Sequence, residues 1–451
     1  MKSLTRSGYI IGNSTEVKKE LTVRAQVNNE LGFPPPSFKV FRQASKDHIC
    51  VPRFYGLEKF GSPDIDKRPE PALLSPGVYF KGTLRDEMYQ NEAFRKGVNQ
   101  GFGVLSLPCG YGKTTVALAI AVKLGFRTII IVHKEFLANQ WRERIQQFCP
   151  GATIGLVQQN TLQVDADFII VMLQSLSQKK YSFEDFEKVG TVFVDEAHHI
   201  CARVFSQALF KLCPKHIYGL SATPYRKDGL TRVLHWLLGP SFFSVERENQ
   251  KQIEVFTVDF TCKRFEDPPP CNRLGELSFP QMITVLVKME SRNRMLVKLV
   301  KKASKGTRQL IVLSDRRSHC EYLHSQFPQT SGLYMGGMKE TQLTESSKKK
   351  IIFGTFSQAH EGLDIPTLDT IILATPKSDI TQSIGRIMRE TAGKKNNPHI
   401  WDVRDNWSSI MYAMYRKRKK VYITGGFKLS SDDDDEHVST IDQYFKGKCL
   451  L

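Results

Sequence analysis

The sequence predicts an α/β protein made of two successive parallel-sheet units, and three observations lead there. Short runs of β-branched and apolar residues recur between amphipathic helical stretches, first over about residues 84–240 and then again to residue 403. A Gly-rich turn, Pro108-Cys109-Gly110-Tyr111-Gly112-Lys113-Thr114-Thr115, joins the first such strand to the first such helix. The alternation then restarts without a second turn of this kind. Continuous apolar strands alternating with helices are the pattern of a parallel sheet covered on both faces.

In the first unit, residues 103–107 (GVLSL) read as a strand and 115–124 as a helix. The strand 128–132 (TIIIV) comes next, then a helix around 136–148. Strands at 168–172 (FIIVM), 191–194 (TVFV) and 217–220 (IYGL) complete the set. The second unit has a helix over 292–302, a strand at 309–313 (QLIVL) and a helix over 318–327. Its later strands are 350–353, 370–373 and 399–403. The Pro-rich piece Asp267 to Pro270 reads as a linker or surface loop between the two.

The first eighty residues differ, being rich in Pro and Gly, with Pro34-Pro35-Pro36, Pro52, Gly56, Gly61 and Pro63. They predict a small accessory domain. Within it, Arg53-Phe54-Tyr55 mixes a cation with aromatics, which suits stacking on bases or packing in a core. The expected divisions are therefore 1–80, 81–245, 246–428 and a flexible acidic tail, 429–451.

At 451 residues the chain has room for two or three domains with their own cores. It has no run of 18 or more apolar residues, which argues against a membrane-spanning helix. Met1 to Arg6 lacks an apolar signal core, so a cytoplasmic or nuclear protein is expected. The nine cysteines are scattered without a C-x-x-C pair or Cys/His metal spacing, which fits reduced thiols. Cys449 is third from the end and does not form a prenylation box. The formal charge of +18 understates the basicity of the body, because Asp432 to Glu436 are acidic. Such a balance points to a polyanion held through its phosphates.

The chemistry begins at the Gly-rich turn. Gly110 and Gly112 let the backbone curl around an anion at the start of a helix. Lys113 is expected to reach the β- and γ-phosphates, and the Thr114 hydroxyl to hold Mg²⁺. Leu107 stands where the G-x-x-x-x-G-K-[ST] pattern has its first Gly. The 191–194 strand then delivers Asp195-Glu196-Ala197-His198-His199. Asp195 suits Mg²⁺ binding and Glu196 suits orienting or deprotonating an attacking water.

Three further segments follow. Ser221-Ala222-Thr223-Pro224 leaves a strand and offers two hydroxyls that could relay the state of the γ-phosphate. Residues 354–366 (GTFSQAHEGLDIP) leave a strand of the second unit, with Thr355 suited to a backbone phosphate and Asp364 to the nucleotide ribose. In Gln382-Ser383-Ile384-Gly385-Arg386-Ile387-Met388-Arg389, Arg386 and Arg389 share one helical face. An Arg there stabilises transition-state charge, worth roughly 10³–10⁵ in rate in other NTPases.

From residue 84 to 421 this series resembles the superfamily 2 helicases and translocases. LPCGYGKTT, VFVDEAHH, SATPYRKDG, GTFSQAHEGLDIP and QSIGRIMR stand in that family's order and approximate spacing. The extra His after DEAH, and SATP followed by Tyr-Arg-x-Asp-Gly, are most similar to one branch. It holds the xeroderma-pigmentosum-group-B-type DNA helicases and the helicases of large DNA viruses and phages. The resemblance implies two tandem RecA-like lobes with ATP and Mg²⁺ bound between them, and a DNA helicase or translocase of repair, recombination, replication or transcription. An RNA helicase, or the motor part of a nuclease or restriction-type complex, stays open.

The resemblance also assigns residues. His133, Lys134 and Gln140-Trp141 fall where the first lobe touches nucleic acid, as do Gln174 and Ser175, with Thr355 in the second lobe. His198, Ser221, Thr223 and Gln382 would couple ATP to the polymer. Tyr89-Gln90 is similar to the adenine-reading element Leu-Arg-x-Tyr-Gln, but this chain has two extra residues between Leu84-Arg85 and Tyr89-Gln90, which puts either Arg85 or Gln90 out of place. In the tail, Ile441, Tyr444 and Phe445 resemble the core of sliding-clamp-binding peptides, with Val438 where Gln is usual.

Overall fold

A computed structural model of the chain describes residues 2–26, 36–108, 110–182, 184–201, 205–222, 228–245, 253–273, 275–362, 365–387 and 396–430. The chain divides into two compact units, Met1–Arg247 and Glu248–Leu451.

The first unit is organised by an eight-stranded sheet. Its order is Thr161–Leu162, Ile154–Gln158, Phe168–Met172, Thr128–Val132, Thr191–Val194, His216–Ser221, Phe102–Ser106, Ser241–Ser244. All neighbours pair in parallel except the Thr161–Leu162 hairpin. The strands 128–132, 168–172 and 191–194 are buried at every residue, as expected of strands covered on both faces. The strands the periodicity does not reveal are edge or near-edge ones. Ile154–Gln158 is only alternately buried and Ser241–Ser244 mostly exposed, so neither has a continuous apolar signal.

The N-terminal segment forms a separate five-stranded sheet ordered Arg42–Gln43, His48–Val51, Gly8–Gly12, Ser3–Thr5, Ile65–Asp66. It does not keep a core to itself. Tyr9, Ile49 and Val51 share one apolar cluster with Val104, Ile129 and Trp236. The helix Arg53–Phe60 makes this junction, with the Phe54 ring 4.6 Å from Phe102 and Tyr55 edge-on to Trp236 at 5.4 Å. Phe54 and Tyr55 are thus core residues, and base stacking by these two rings is ruled out by their burial.

The second unit has seven parallel strands in the order Ser331–Tyr334, Ile351–Thr355, Leu310–Ser314, Thr370–Leu373, His399–Asp405, Glu254–Phe260, Lys428–Ser430. The last strand carries the chain past residue 428, where a flexible tail was expected, because the edge of Glu254–Phe260 offers an open ladder. Among the described residues, no helix is long and apolar enough to cross a membrane.

One buried ion pair ties this unit together. Arg292, on the helix Glu290–Ala303, meets Asp405 at the end of a strand, Nε to Oδ1 at 2.7 Å and Nη2 to Oδ2 at 2.8 Å. Both side chains are fully buried. Removing one partner from such a pair leaves an uncompensated charge in low dielectric. Asp405→Asn should therefore lower the stability of this unit by about 3–5 kcal/mol, read from the urea midpoint. A loss within experimental error of zero would show that water reaches the guanidinium.

Candidate active site

The strand Phe102–Ser106 runs into the loop that precedes the helix Lys113–Leu124. Leu107, standing in place of the expected Gly, puts its side chain in the core. Its carbonyl accepts from Lys113 Nζ at 2.9 Å, with the Pro108 carbonyl at 3.4 Å. The pattern thus tolerates Leu here because the backbone, not the side chain, faces the lysine. Gly110 (φ 89°) and Gly112 (φ 76°) lie in the left-handed region, which strains residues with a Cβ. Thr114 follows in the first helical turn, partly exposed.

Gln90 props this loop from behind. It is 1% exposed, donates from Nε2 to the Tyr111 carbonyl at 2.9 Å and accepts the Arg85 N–H at 3.0 Å. The Gln90 N–H returns to the Arg85 carbonyl at 3.0 Å. The two extra residues therefore leave Arg85 and Gln90 hydrogen-bonded to each other. They are taken up by a 3-10 turn, Asp86–Met88, and by Tyr89 in the left-handed region (φ 57°). A Cβ on Gly112 would collide with the Gln90 amide.

The acid pair lies at the end of Thr191–Val194, a strand separated from Phe102–Ser106 by His216–Ser221 alone. Because the three strands are parallel, their carboxyl ends open on one sheet edge, and both loops lie there. Asp195 is held from two sides, Oδ2 accepting from Trp141 Nε1 at 2.9 Å and Oδ1 from the Glu196 N–H at 2.9 Å. Burial of the carboxylate pushes Asp195 up to about 6, although the residue as a whole stays partly accessible. The Glu196 carboxylate adds to that rise, while Trp141 and the Lys113 ammonium oppose it. Glu196 is a non-glycine residue at φ 46°. Its Oε2 is buried without a hydrogen-bond partner among the described residues, 3.5 Å from His198 Nδ1.

These residues fit a nucleoside triphosphate with a divalent cation. The left-handed glycines and the N-terminus of a 12-residue helix suit phosphate oxygens. The Asp195 carboxylate suits the cation, which would neutralise phosphate charge when bound. The buried Glu196 Oε2 has capacity left for a water. In the first unit, the structure thus brings together Gln90, Gly110, Gly112, Lys113, Thr114, Asp195 and Glu196.

Around the acid pair three imidazoles pack, His133 to His199 at 4.0 Å and His199 to His198 at 4.4 Å between centroids. Burial, helped by His199, Lys134 and His198, drives His133 down to about 3, so it stays neutral near pH 7. Gln174 Nε2 donates to the His133 carbonyl at 2.7 Å. Ser175 Oγ accepts the Gln159 N–H at 2.9 Å, which leaves its own O–H as the donor. Lys134 stands at the N-cap of Glu135–Phe148. Trp141 is 2% exposed, so its ring serves the acid pair and not a surface. Nothing in the spacing indicates that role, since a Trp on an amphipathic helix reads as core. Ser221 ends its strand fully buried.

In the second unit, Thr355 ends Ile351–Thr355, its Oγ1 3.4 Å from Ser357 Oγ. Gln382 and Arg386 lie on the helix Thr381–Ile387, of which the backbone alone is described at these two positions. Thr223, Asp364, Arg389, Ile441, Tyr444 and Phe445 fall outside the described residues.

Trp141→Phe keeps an aromatic ring in the core, though a smaller one, and removes the donor to Asp195. It should cost about 1.5–3 kcal/mol of stability, the range for hydrogen bonds to charged groups, read by denaturant unfolding of the first unit. An unchanged midpoint would mean that Asp195 is solvated in place of being held.

Residues 83–226 match the family described as the type III restriction enzyme res subunit. Across 477 aligned residues the chain is 32% identical to L396 of Acanthamoeba polyphaga mimivirus, covering 97% of this chain and 91% of that protein. L396 is provisionally named an ATP-dependent RNA helicase. Helicase 161L of Invertebrate iridescent virus 6, also provisionally named, is 28% identical over 76% of this chain and 81% of its own length. Protein QP509L of African swine fever virus, provisionally named an ATP-dependent RNA helicase, is 24% identical over 72% of this chain and 69% of its own length. The crystal structure of T4 UvsW aligns over 92% of this chain and 94% of its own, at 17% identity and a TM-score of 0.33, too loosely to bear on architecture or activity. With two parallel-sheet lobes, the motif series in order along the sequence and a relative of this identity along almost the whole length, the chain belongs to the superfamily 2 helicases, nucleic-acid-dependent ATPases, in the group found in large DNA viruses.

Proposed function

We propose that the chain is a DNA helicase or double-strand translocase that couples ATP hydrolysis to remodelling duplex or branched DNA in repair, recombination, replication or transcription. The observation that carries this reading is the convergence of Lys113, Asp195 and Glu196 on one sheet edge. The branch-specific DEAHH and SATPYRKDG segments favour DNA. The names of L396 and QP509L favour RNA, which is the second reading.

In this account Gly110, Gly112 and Lys113 hold the phosphates, and Thr114 and Asp195 hold Mg²⁺. Glu196 orients the attacking water and takes its proton. Arg386 and Arg389 stabilise the charge that develops on the γ-phosphate, Asp364 faces the ribose, and Gln90 supports the loop and reads the base. Lys134, Gln174, Ser175 and Thr355 contact the nucleic-acid backbone, while His198, Ser221, Thr223 and Gln382 transmit its presence. The N-terminal sheet selects the nucleic-acid structure, and the segment around Ile441, Tyr444 and Phe445 is offered for a sliding clamp. A site of action inside the infected cell, in cytoplasm or nucleus, accords with the viral relatives.

Lys113→Ala should lower polynucleotide-stimulated ATPase about 10²–10³-fold, the scale for losing one charge-stabilising donor, with an unchanged circular-dichroism spectrum. Turnover like the wild type's would sink the site assignment. Stimulation compared across forks, four-way junctions, blunt duplex and RNA decides the polymer. Activation by RNA alone would replace the DNA reading.

A further inference from the structure

The helix Ser409–Thr424 carries five consecutive cations, Arg416 to Lys420, and no acidic residue. Its rotation about its own axis is fixed by what it buries. Met411, Tyr415, Arg418 and Tyr422 recur at helical spacing and face inward. Arg418 is the anchor, its Nε donating to Asp402 Oδ2 at 2.9 Å and its Nη1 to the Lys377 carbonyl at 2.7 Å. The Tyr422 hydroxyl donates to the same Asp402 oxygen at 2.8 Å. With these positions locked inward, Tyr412, Arg416, Lys417, Lys419, Lys420 and Ile423 are turned out, and all six are exposed.

Arg416, Lys417, Lys419 and Lys420 have no ion-pair or hydrogen-bond partner among the described residues. The helix dipole does not account for them. Its stabilisation of cations is confined to the last turn, and all four lie before it. Like charges three and four apart instead repel, by about 0.2–0.5 kcal/mol per pair. A patch that costs stability in the free protein is accounted for by an anionic partner that relieves it.

We propose that this face is an additional nucleic-acid contact, outside the motif series, where the four cations grip the phosphate backbone. The inference rests on the nucleic-acid reading above but not on turnover. Four cations fanned over little more than one turn on the outward side of the helix suit the phosphates of a backbone laid across it, and flexible side chains there read charge and not base sequence. The acidic run Asp432 to Glu436, which begins two residues beyond the Lys428–Ser430 strand, is the competing occupant.

The test uses the full chain with Arg416→Ala, Lys417→Ala, Lys419→Ala and Lys420→Ala combined, and duplex and single-stranded probes of unrelated sequence without ATP. Duplex binding should weaken to the same extent for every sequence. The slope of log affinity against log salt should fall by up to about 3.6, at about 0.9 per phosphate released. Basal ATPase should stay at the wild-type value and the thermal midpoint should hold or rise slightly, because all four side chains are exposed and their mutual repulsion is relieved. An unchanged slope overturns the proposal. So does a slope that responds only once Asp432, Asp433, Asp434 and Asp435 have been changed to Asn, since the tail would then cover the face in the native chain. Because binding is read without ATP, a failure of the motor reading in the Lys113→Ala experiment leaves this result separately interpretable.

Discussion

A carboxylate at the end of a buried strand is costly unless donors meet it, and much of the first unit is arranged around that constraint at Asp195. Trp141 reaches it from the helix after the second strand, the Glu196 N–H from the next residue, and the Lys113 ammonium lowers its proton affinity from the phosphate loop. These groups come from three separate connections of one parallel sheet. The sheet order, with one strand between the loop-bearing and acid-bearing strands, sets how far apart they stand. The left-handed backbone at Glu196 is held by the same arrangement, since its N–H is committed to Asp195.

The second unit meets the same physical problem with ion pairs in place of a tryptophan. Arg292 with Asp405 and Arg418 with Asp402 each join a helix to the strand His399–Asp405. Such pairs do little for net stability over an apolar contact of the same shape, yet they fix which way a helix faces. For Ser409–Thr424 that orientation buries one of five adjacent cations, Arg418, and turns the other four to solvent. Lys377 extends the tie. Its carbonyl takes Arg418, its ammonium lies 3.2 Å from Asp315 and 5.5 Å from the centre of the Phe356 ring, directly after Thr355.

The N-terminal sheet is not an appendage on a linker. It is welded to the first lobe through the Phe54–Phe102 and Tyr55–Trp236 contacts, and one apolar cluster runs through both. Any preference it confers for a nucleic-acid structure is therefore delivered from a rigid position relative to the phosphate loop. The Phe54 and Tyr55 rings, which looked available from the sequence, are spent in the core.

By itself the sequence determined the central strands, the phosphate loop and the acid pair. Strands such as 128–132 and 191–194 are apolar at every position, and the loop and acid chemistry is local to a few consecutive residues. The near-edge strand 154–158 and the edge strand 331–334 escaped, because partial exposure or brevity weakens the apolar run that marks a strand. Only the tertiary structure decided that Trp141 serves Asp195, that Arg85 and Gln90 stay joined around two extra residues, and that Phe54 and Tyr55 are core. The Trp141–Asp195 contact spans 54 positions of chain, and the other two rest on a turn geometry and on packing against a distant helix. Periodicity reports which face of an element is buried. It carries no information about the residue that element is buried against.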